Sequence, residues 1–286
     1  MRVGYLGPAG TYTELAARQL YSGAEVELQP VGGIDRLLTE TAAGKLDACV
    51  VPVENSLEGS VNVTLDVLTH DVSLYVQAEV DLPIHHHLFM QRRLAGESYS
   101  PRVITSHPQA LAQCRKTIAR LYPEAVVRPA DSTAAAAALA AEQPDVAAIG
   151  SQQAGQLYGL AVVAADVQDL AYNRTRFWAL GRAAVVPDRA CSKTSIVCYT
   201  DWDRPGSLCE LLQVFASRGI NLSKIESRPA RTKLGRYLFY FDLMGSAADP
   251  VVAQALTEAV ARSSWCKSFG SYPVLSELQQ TKEDVQ

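Results

Sequence analysis

Apolar residues in positions 1–182 occur in short blocks separated by longer amphipathic stretches. Blocks such as Val3–Leu6, Ala48–Val53 and Val103–Ser106 have the length and composition of buried strands. The stretches between them, such as Thr13–Tyr21, repeat apolar residues at helical spacing. Strands that alternate with helices predict an α/β domain built on parallel strands.

The same alternation continues through the rest of this domain. The further predicted strands are Val26–Pro30, Ala125–Arg128, Val146–Ile149 and Ala161–Ala165, and the further helices are Ile34–Ala43, Val61–Leu68, Pro108–Leu121, Thr133–Ala141 and Ser151–Tyr158. Strand-like sequence from Leu74 to Met90, broken at Pro83, predicts a crossing between two lobes. We expect one lobe at 1–78 with 162–182, to which Ala161–Ala165 returns, and the other at 79–161. A cleft between such lobes is a favoured ligand site.

A second domain is predicted after residues 183–192, which contain a proline and polar residues as a linker does. Its predicted elements over residues 193–274 are strand Thr194–Thr200, helix Ser207–Arg218, strands Leu222–Ser227 and Tyr237–Leu243, helix Pro250–Arg262 and strand Lys267–Tyr272. The order β-α-β-β-α-β is that of a ferredoxin-like α+β domain. The polar tail from Ser276 is expected to fray.

Composition places the chain among soluble globular proteins. Of 286 residues, 48% are hydrophobic and 20% charged, and the net charge of −4 is not gathered into blocks of one sign. This interspersion argues against a nucleic-acid surface. No stretch approaches the roughly 18 consecutive apolar residues of a membrane span, and no export signal follows Met1, so a cytoplasmic protein is expected.

Neither the cysteines nor the histidines indicate a metal site. The six cysteines are scattered without close pairs and are expected to be reduced, buried thiols. Three consecutive histidines, His85 to His87, cannot converge on one ion if they lie on a strand, because neighbouring side chains point to opposite faces.

The glycine-rich start, Gly4 to Thr11, lies where a predicted strand meets a helix. Its spacing fits neither a dinucleotide fingerprint nor a phosphate-binding loop. Thr11 and Glu14 have the spacing of a capping box, which satisfies the first amide groups of the helix. The same helix start can also bind a substrate carboxylate, so a cap alone and a cap with a substrate contact remain alternatives.

Polar residues follow two of the predicted strands. Glu54, Asn55 and Ser56 come at the end of Ala48–Val53, and Ser106 and His107 at the end of Val103–Ser106. Open α/β sheets bind ligands at the carboxyl ends of strands. The alternative for the first group is the N-cap of the helix after Ser60.

The run from Asn173 to Phe177 precedes an apolar segment and contains two arginines that flank a hydroxyl. Such a set can clamp carboxylates while offering a neutral hydrogen-bond donor at Thr175. The alternative is an exposed basic turn.

Taken in order, these motifs resemble the prephenate dehydratase family. The motifs are the glycine-rich start, Val53-Glu54-Asn55-Ser56, Thr105-Ser106-His107-Pro108-Gln109, Asp131-Ser132-Thr133-Ala134 and Thr175-Arg176-Phe177, and Glu226-Ser227-Arg228-Pro229 resembles the regulatory ACT domain. The resemblance extends from Arg2 to about Val274. It implies a periplasmic-binding-protein-like body of two α/β lobes with the active site in the cleft, no metal or cofactor, and a homodimer or homotetramer. Because no helical segment precedes the first strand, a monofunctional enzyme without a chorismate mutase domain is expected.

The resemblance also implies a reaction, in which prephenate loses carbon dioxide and its ring hydroxyl to become phenylpyruvate. Thr175 would hydrogen bond to the departing hydroxyl, with water or Glu54 completing the proton transfer, and Arg176 would hold a substrate carboxylate. Catalytic positions are thus Thr175, Glu54, Asn55, Ser106 and Gln113, and substrate-binding positions are Arg176, Thr11, Ser56, His107 and Phe177.

Phenylalanine is the effector that the resemblance implies for the second domain, bound between subunits. The effector positions are Gly206, Ser207, Leu208, Asn221 and Leu222, with Glu226, Ser227 and Arg228 from a neighbouring subunit. The loop, which begins at Arg204, departs from the usual Gly-Ala-Leu-Val by reading Gly-Ser-Leu-Cys, which leaves the identity of the effector open. Two alternatives to the leading function are an arogenate dehydratase and a non-catalytic small-molecule binding protein.

Overall fold

The computed structural model of the chain describes residues 1–94, 100–188, 190–200, 205–231 and 236–275. Its strands are β1 Arg2–Leu6, β2 Glu27–Val31, β3 Ala48–Asn55, β4 Gly59–Ser60, β5 Tyr75–Pro83, β6 His87–Gln91, β7 Val103–Ser106, β8 Val126–Pro129, β9 Val146–Gly150, β10 Leu160–Ala164, β11 Arg174–Gly181, β12 Lys193–Tyr199, β13 Leu222–Pro229, β14 Tyr237–Met244, β15 Trp265–Tyr272 and β16 Val274–Leu275. Its α-helices are α1 Tyr12–Leu20, α2 Ile34–Ala42, α3 Asn62–His70, α4 Pro108–Gln113, α5 Arg115–Leu121, α6 Thr133–Glu142, α7 Gln152–Leu157, α8 Ser207–Ala216 and α9 Pro250–Ala261. Arg204 of the predicted effector loop and the tail from Ser276 lie outside the described residues.

The largest sheet has the strand order β16-β5-β11-β3-β1-β2, with β4 paired to β3. β1 runs parallel to β2, and β16 runs parallel to β5. β3 is buried at six of its eight positions, as expected for a central strand covered on both faces. Asn55 is the last residue of β3, so its side chain emerges at the carboxyl end of the strand.

The second sheet has the order β10-β6-β9-β7-β8. β7 is parallel to β8 and β9, whereas β6 is antiparallel to β9 and β10. The crossing predicted between Leu74 and Met90 is confirmed, because β5 belongs to the first sheet and β6 to the second.

The predicted return of Ala161–Ala165 to the first lobe is wrong. This segment forms β10, whose antiparallel register with β6 pairs Ala161 with Met90 and Val162 with Phe89. The strand that joins the first sheet is β11, which the apolar pattern had not identified as a separate strand.

The helix predicted at Pro108–Leu121 is divided into α4 and α5 at Cys114, whose φ of −111° and ψ of 7° are not helical. A distant carboxylate caps the second half. Asp169 accepts hydrogen bonds from the backbone N–H groups of Lys116 and Thr117, both at 2.9 Å. Capping stabilises a helix start inside what would otherwise be one helix, and it leaves Gln113 at the end of α4.

The β-α-β-β-α-β order predicted for the second domain is confirmed by β12, α8, β13, β14, α9 and β15. Their antiparallel sheet has the order β13-β14-β12-β15. One face of the sheet packs against α8 and α9 through a cluster that includes Leu211, Phe215 and Phe241. Two α/β sheets and a ferredoxin-like sheet confirm the predicted fold class.

Residue contacts divide the chain into two compact units. The first comprises residues 1–37, 50–64 and 81–177, and the second comprises residues 38–49, 65–80 and those from Trp178 onwards. The first unit contains two apolar clusters, one around Ile104 and Ile149 and one around Phe89 and Ala148. In the second unit, Lys193 and Glu79 form a buried ion pair at 2.5 Å, and the Trp178 indole N–H donates to the same carboxylate at 2.8 Å.

Not every cysteine is buried, contrary to expectation. Cys209 is exposed and Cys266 is half-buried, while the other four are buried and all six are free thiols. Cys198 and Cys266 face each other on β12 and β15 with their sulfur atoms 3.2 Å apart. In the described ranges, no helix is long and apolar enough to span a membrane, and no group of three or more His, Cys, Asp or Glu side chains could hold a metal ion.

Candidate active site

A pocket of about 480 Å³ lies within the first unit. Its wall is contributed by the start of α1, the end of β3, the segment before β6, α4, the start of α6, and β11. The two sheets of the unit therefore both supply pocket residues. Among the described residues that line the pocket, none is a lysine or an arginine.

Asn55 is the centre of a hydrogen-bond network at the floor of this pocket. Its carboxamide oxygen accepts from the backbone N–H groups of Leu57 at 3.0 Å and Glu58 at 3.1 Å. Its NH₂ group donates to Asn173 Oδ1 at 2.8 Å and to Thr175 Oγ1 at 2.9 Å. The two backbone donors determine which end of the carboxamide faces Thr175.

Thr175 lies on β11, from which Thr175 and Phe177 both line the pocket. Alternate residues of a strand point to the same face, so this spacing follows from the strand geometry. Thr175 Oγ1 accepts the hydrogen bond from Asn55 and keeps its own proton for donation. A neutral hydroxyl donor is thus held inside the pocket, where Thr175 is only 8% exposed.

The network continues from Asn173 through Gln113 to His86. Asn173 Nδ2 donates to Gln113 Oε1 at 3.0 Å, and the same oxygen lies 2.9 Å from His86 Nε2. Burial lowers the pKa of His86, the hydrogen bond with Gln113 partly offsets this, and His87 and His85 lower it further. The pocket therefore contains a histidine that favours its neutral form.

Arg176 does not line the pocket, contrary to its predicted contact with a substrate carboxylate. It follows Thr175 on β11 and therefore projects to the opposite face, where its Nε lies 3.2 Å from a carboxylate oxygen of Glu54. The other arginine of the run, Arg174, similarly lies 3.0 Å from Asp81. The alternation of side chains along the strand separates both guanidinium groups from the Thr175 hydroxyl.

Three further predicted residues lie outside the pocket lining. Ser56 accepts a hydrogen bond from the Arg174 backbone N–H at 2.9 Å and so joins the end of β3 to the start of β11. Ser106 is fully buried and donates to the Ile149 carbonyl at 2.6 Å. Glu54 is paired with Arg176. These contacts hold strands in place.

Thr11 and His107 line the pocket as predicted positions at helix starts. Thr11 caps α1, accepting from the Glu14 N–H at 3.4 Å, while the Glu14 carboxylate accepts from the Gly10 N–H at 2.7 Å. This arrangement is close to the predicted capping box. His107 Nδ1 accepts from the Gln109 N–H at the start of α4.

Four residues that line the pocket were not among the predicted site residues, although three of them belong to the motifs quoted above: His86, Asn173, Ser132 and Thr133. The signal for His86 was its position between the buried apolar residues Ile84 and Leu88, two residues away on each side. In a strand-like segment that spacing places all three on one face. The same alternation that excludes a metal site therefore also predicts that His86 is buried.

The predicted effector positions lie on different faces of the ferredoxin-like sheet. Gly206 precedes α8 with a φ of 96°, a conformation that favours glycine. Glu226 and Arg228 lie on β13 opposite Tyr240 and Leu238, which face away from the helices. Ser227, between them, points to the helix face. One chain therefore presents two separate halves of the predicted effector site.

Arg228 is held by a carboxylate from α3. Its guanidinium group lies 3.0 Å and 2.9 Å from the two carboxylate oxygens of Asp66, and 3.6 Å from Glu226. Desolvation lowers the pKa of Arg228, but hydrogen bonding to Asp66 and the neighbouring negative charges outweigh it and raise that pKa overall. Tyr240 on the same face shares a hydrogen bond of 2.7 Å with Thr69 of α3.

Comparison with known proteins gives the following matches. Residues 3–185 match the family model described as prephenate dehydratase, and residues 194–261 match the ACT domain. The prephenate dehydratase of Bacillus subtilis is 36% identical over 282 residues, which cover 95% of this chain and 98% of that protein. The Arabidopsis thaliana protein named arogenate dehydratase/prephenate dehydratase 2 is 39% identical over 96% of this chain and 73% of its own length.

A solved structure agrees over nearly the whole chain. The prephenate dehydratase of Arthrobacter aurescens in complex with L-Phe has a TM-score of 0.86 and 37% identity, covering 96% of this chain and 90% of that one. Both the catalytic body and the ferredoxin-like domain thus have counterparts in one relative.

Proposed function

The chain belongs to the prephenate dehydratase family and carries an ACT domain, and on that basis we propose that it converts prephenate into phenylpyruvate, carbon dioxide and water. The reaction breaks a carbon–oxygen bond, which makes the enzyme a lyase. The observation that carries the proposal is the Thr175 hydroxyl, which accepts from Asn55 and keeps its proton to donate within the pocket.

Dehydration of prephenate requires a hydrogen-bond donor at the leaving hydroxyl and does not require a strong base. The electron pair left by the departing ring carboxylate forms the new ring double bond, so no carbon-bound proton has to be removed. The hydroxyl must leave with its electrons, and Thr175 stabilises the charge that develops on that oxygen. Positioned proton donors accelerate such steps by about 100- to 10,000-fold.

Neutral donors at helix starts bind the two carboxylates of the substrate. The start of α1 at Thr11 and the start of α6 at Ser132 both line the pocket. The first amide groups of a helix lack acceptors within the helix, and the helix dipole favours negative charge there. In this proposal the amide groups at these two helix starts bind the substrate carboxylates, the role that the sequence analysis assigned to Arg176.

Arg176 acts as a positioning residue in this proposal. Its ion pair with Glu54 joins β11 to the end of β3, the two strands that carry Thr175 and Asn55. The side chain of Arg176 is 15% exposed and that of Glu54 is 33% exposed, so the pair is partly shielded from water. Its contribution is to hold Thr175 and Asn55 at hydrogen-bonding distance.

Phenylalanine regulates this activity through the ACT domain. Support comes from the relative of similar fold that was solved with L-Phe bound. Gly206 lets the effector approach the backbone at the start of α8, and Glu226 and Arg228 contribute from a second subunit. Because one chain presents these groups on opposite faces of a sheet, the complete site requires a homodimer or homotetramer.

The domain division in this proposal is a catalytic domain at 1–182 and a regulatory domain at 193–274. The six free thiols suit a reducing compartment, and we assign the enzyme to the cytoplasm. Light scattering on the purified protein tests the oligomeric state, and a monomer that still responds to phenylalanine would contradict the shared site.

Arogenate is the second candidate substrate, because the pocket contains a carboxylate. Asp131 lines the pocket beside the start of α6 and can pair with the ammonium group that arogenate carries in place of the keto group of prephenate. The Arabidopsis thaliana relative is named for both activities.

One assay tests both substrates and both domains. Purified protein is incubated with prephenate or with arogenate, with and without phenylalanine, and phenylpyruvate and phenylalanine are quantified. Phenylpyruvate formed from prephenate, at a rate that phenylalanine changes, is the expected result. If only arogenate is turned over, arogenate and not prephenate is the substrate. If neither compound is turned over, the proposed dehydratase activity is wrong.

A further inference from the structure

The pocket contains a buried nitrogen that lacks a partner. His86 is 5% exposed and lines the pocket, and its Nδ1 has no hydrogen-bond partner among the described protein atoms. Buried polar atoms are nearly always hydrogen bonded, so an exception at a pocket wall indicates a group that acts on a ligand.

The proton of His86 can be located from the amide groups around it. The backbone N–H groups of Leu57 and Glu58 require the oxygen of Asn55 to face them, so the NH₂ group of Asn55 faces Asn173. Asn173 then accepts with its oxygen and donates with its nitrogen to Gln113 Oε1. Each carboxamide is oriented by the one before it.

The last member of this chain determines the tautomer of His86. Gln113 Oε1 lies 2.9 Å from His86 Nε2, and an amide oxygen only accepts, so Nε2 carries the proton. A neutral imidazole has a single N–H, which leaves a lone pair on Nδ1, the atom of this pocket residue that has no partner among the described protein atoms.

Rotation of His86 is restricted by its neighbours. The Tyr12 hydroxyl bonds to the His85 carbonyl and accepts from the His85 N–H at 2.8 Å. The His86 N–H donates to Gln168 Oε1 at 2.9 Å, and the His86 carbonyl accepts from the Val167 N–H at 2.7 Å. These bonds fix the backbone on both sides of His86, and the contact of Nε2 with Gln113 holds the ring itself.

Substrate binding changes the charge around this nitrogen. The titratable and charged groups around His86 are His85 and His87 on its own segment, Tyr12, Asp166 bonded to His85, Glu58 behind Gln113, and Asp131 and His107 in the pocket wall. Lysine and arginine are absent from the described pocket lining. Two substrate carboxylates that enter this setting favour protonation of His86, whose pKa burial lowers in the free protein.

We propose that His86 takes up a proton at Nδ1 when the dianionic substrate binds and delivers it to the departing ring hydroxyl. This inference rests on the proposed dehydratase function. The carbon–oxygen bond breaks with its electron pair on oxygen, and that oxygen takes the proton from Nδ1 and leaves as water. The bond between the opposite ring carbon and the ring carboxylate breaks as well, and its electron pair completes the aromatic ring as carbon dioxide departs.

The proton count agrees with this role. Prephenate enters as a dianion and phenylpyruvate leaves as a monoanion, so each turnover consumes one proton. His86 ends the step neutral and is protonated again from solvent. Thr175 orients the hydroxyl and stabilises its charge, while His86 supplies the proton that a threonine is too weak an acid to give.

Replacement of His86 by glutamine tests the proposal. Glutamine can keep a hydrogen bond to Gln113 but has no titrating group at the Nδ1 position. We expect kcat for prephenate to fall about 100-fold or more while KM changes much less. The wild-type kcat should decline as pH rises past the pKa of bound His86, and the variant should lose this decline.

His85→Gln is the matched control, because His85 lies on the same segment, is exposed, and pairs with Asp166 at 2.7 Å. Its kcat should stay within a few-fold of wild type and should still decline as pH rises. A His86→Gln enzyme with wild-type kcat and an unchanged pH profile would overturn the proposal. A wild-type enzyme without dehydratase activity would instead reject the proposed function.

A measurement on the unmodified protein covers the case in which His86→Gln does not fold. NMR of protein labelled with ¹⁵N-histidine reports protonation at Nδ1 directly. On addition of a non-reactive cyclic dicarboxylate, the pKa of His86 should rise by about one unit or more. Nδ1 that remains unprotonated in that complex at neutral pH would overturn the assignment.

Discussion

The candidate pocket and the face of the regulatory sheet that lies away from α8 and α9 both bury polar side chains, but they do so with different chemistry. The pocket network consists of neutral groups, Asn55, Asn173, Gln113, Thr175 and His86, joined by hydrogen bonds of 2.8 to 3.0 Å. The sheet face instead uses ion pairs, such as Lys193 with Glu79 and Arg228 with Asp66.

This difference suits the two tasks. In a chain of carboxamides each donor determines the next acceptor, so the pocket has one direction of hydrogen bonding and presents one set of groups to a substrate. The Arg228–Asp66 pair is also oriented, because two guanidinium nitrogens meet the two carboxylate oxygens, but a charged ligand that reaches the pair can compete for either partner. A rigid donor array favours catalysis, whereas an ion pair that a ligand can reach, such as Arg228 with Asp66, favours regulation.

The largest expected effect comes from the end of the neutral network. Thr175→Ala removes the hydroxyl donor and should reduce turnover of prephenate about 100- to 10,000-fold, with little change in melting temperature. Thr175→Ser keeps the donor and should retain far more activity. Near-normal turnover in Thr175→Ala, measured as phenylpyruvate formation, would remove Thr175 from the mechanism.

Removing the cation of the buried ion pair between Lys193 and Glu79 should instead lower the stability of the folded protein. Lys193→Met leaves Glu79, whose side chain is 2% exposed, without its cation, at a cost of about 3–5 kcal/mol in unfolding free energy. Urea denaturation measures this loss. The double variant Lys193→Met with Glu79→Gln should recover much of it, and no recovery would show that the charge is not the cause.

A substitution at Asn55 that keeps the shape of the side chain but removes its hydrogen-bond donor tests the hydrogen bonding of the pocket network without a loss of packing. Asn55→Asp replaces the NH₂ donor with an acceptor of similar shape that faces the oxygens of Asn173 and Thr175. We expect a loss of about 1–3 kcal/mol in unfolding free energy and reduced turnover. Calorimetry and kinetics check both, and unchanged values would contradict the assigned carboxamide orientation.

Exchanging a charge on the sheet face should alter regulation. Asp66→Asn weakens the hold on Arg228 and should shift the phenylalanine concentration for half-maximal effect by about fivefold or more, with turnover in its absence unchanged. Glu258→Gln, which weakens an ion pair with Arg218 elsewhere in the domain, is the control. Equal shifts in both variants would contradict a specific role for Asp66.

The smallest effect is expected at the effector loop. Gly206 has a φ of 96°, so Gly206→Ala should cost about 1–2 kcal/mol in stability and weaken phenylalanine binding by calorimetry. Gly219→Ala, at a φ of 68° after α8, should cost a similar amount without changing effector affinity. Unchanged phenylalanine affinity in Gly206→Ala would show that the effector does not bind at this loop.

Sequence reasoning placed some candidate residues well and others poorly, and strand geometry explains the difference. Thr175 and Phe177 line the pocket, but Arg176 between them faces Glu54, because adjacent residues of a strand point to opposite faces. Ser106 ends its strand as predicted, yet its hydroxyl bonds to Ile149 of the neighbouring strand. A motif shows which residues occur together in the chain and not which of them share a face.

Short-range periodicity was sufficient for most helices and strands, for the β-α-β-β-α-β order and for the strand ends that carry Asn55 and His107. Those features depend on residues within a few positions of one another. The division of α4 from α5, the pairing of β10 with β6 and the proton position on His86 depended on the folded chain. Each involves groups far apart in sequence, such as Asp169 with Thr117 or Asn55 with Asn173, whose hydrogen bonds exist only once the backbone has brought them together.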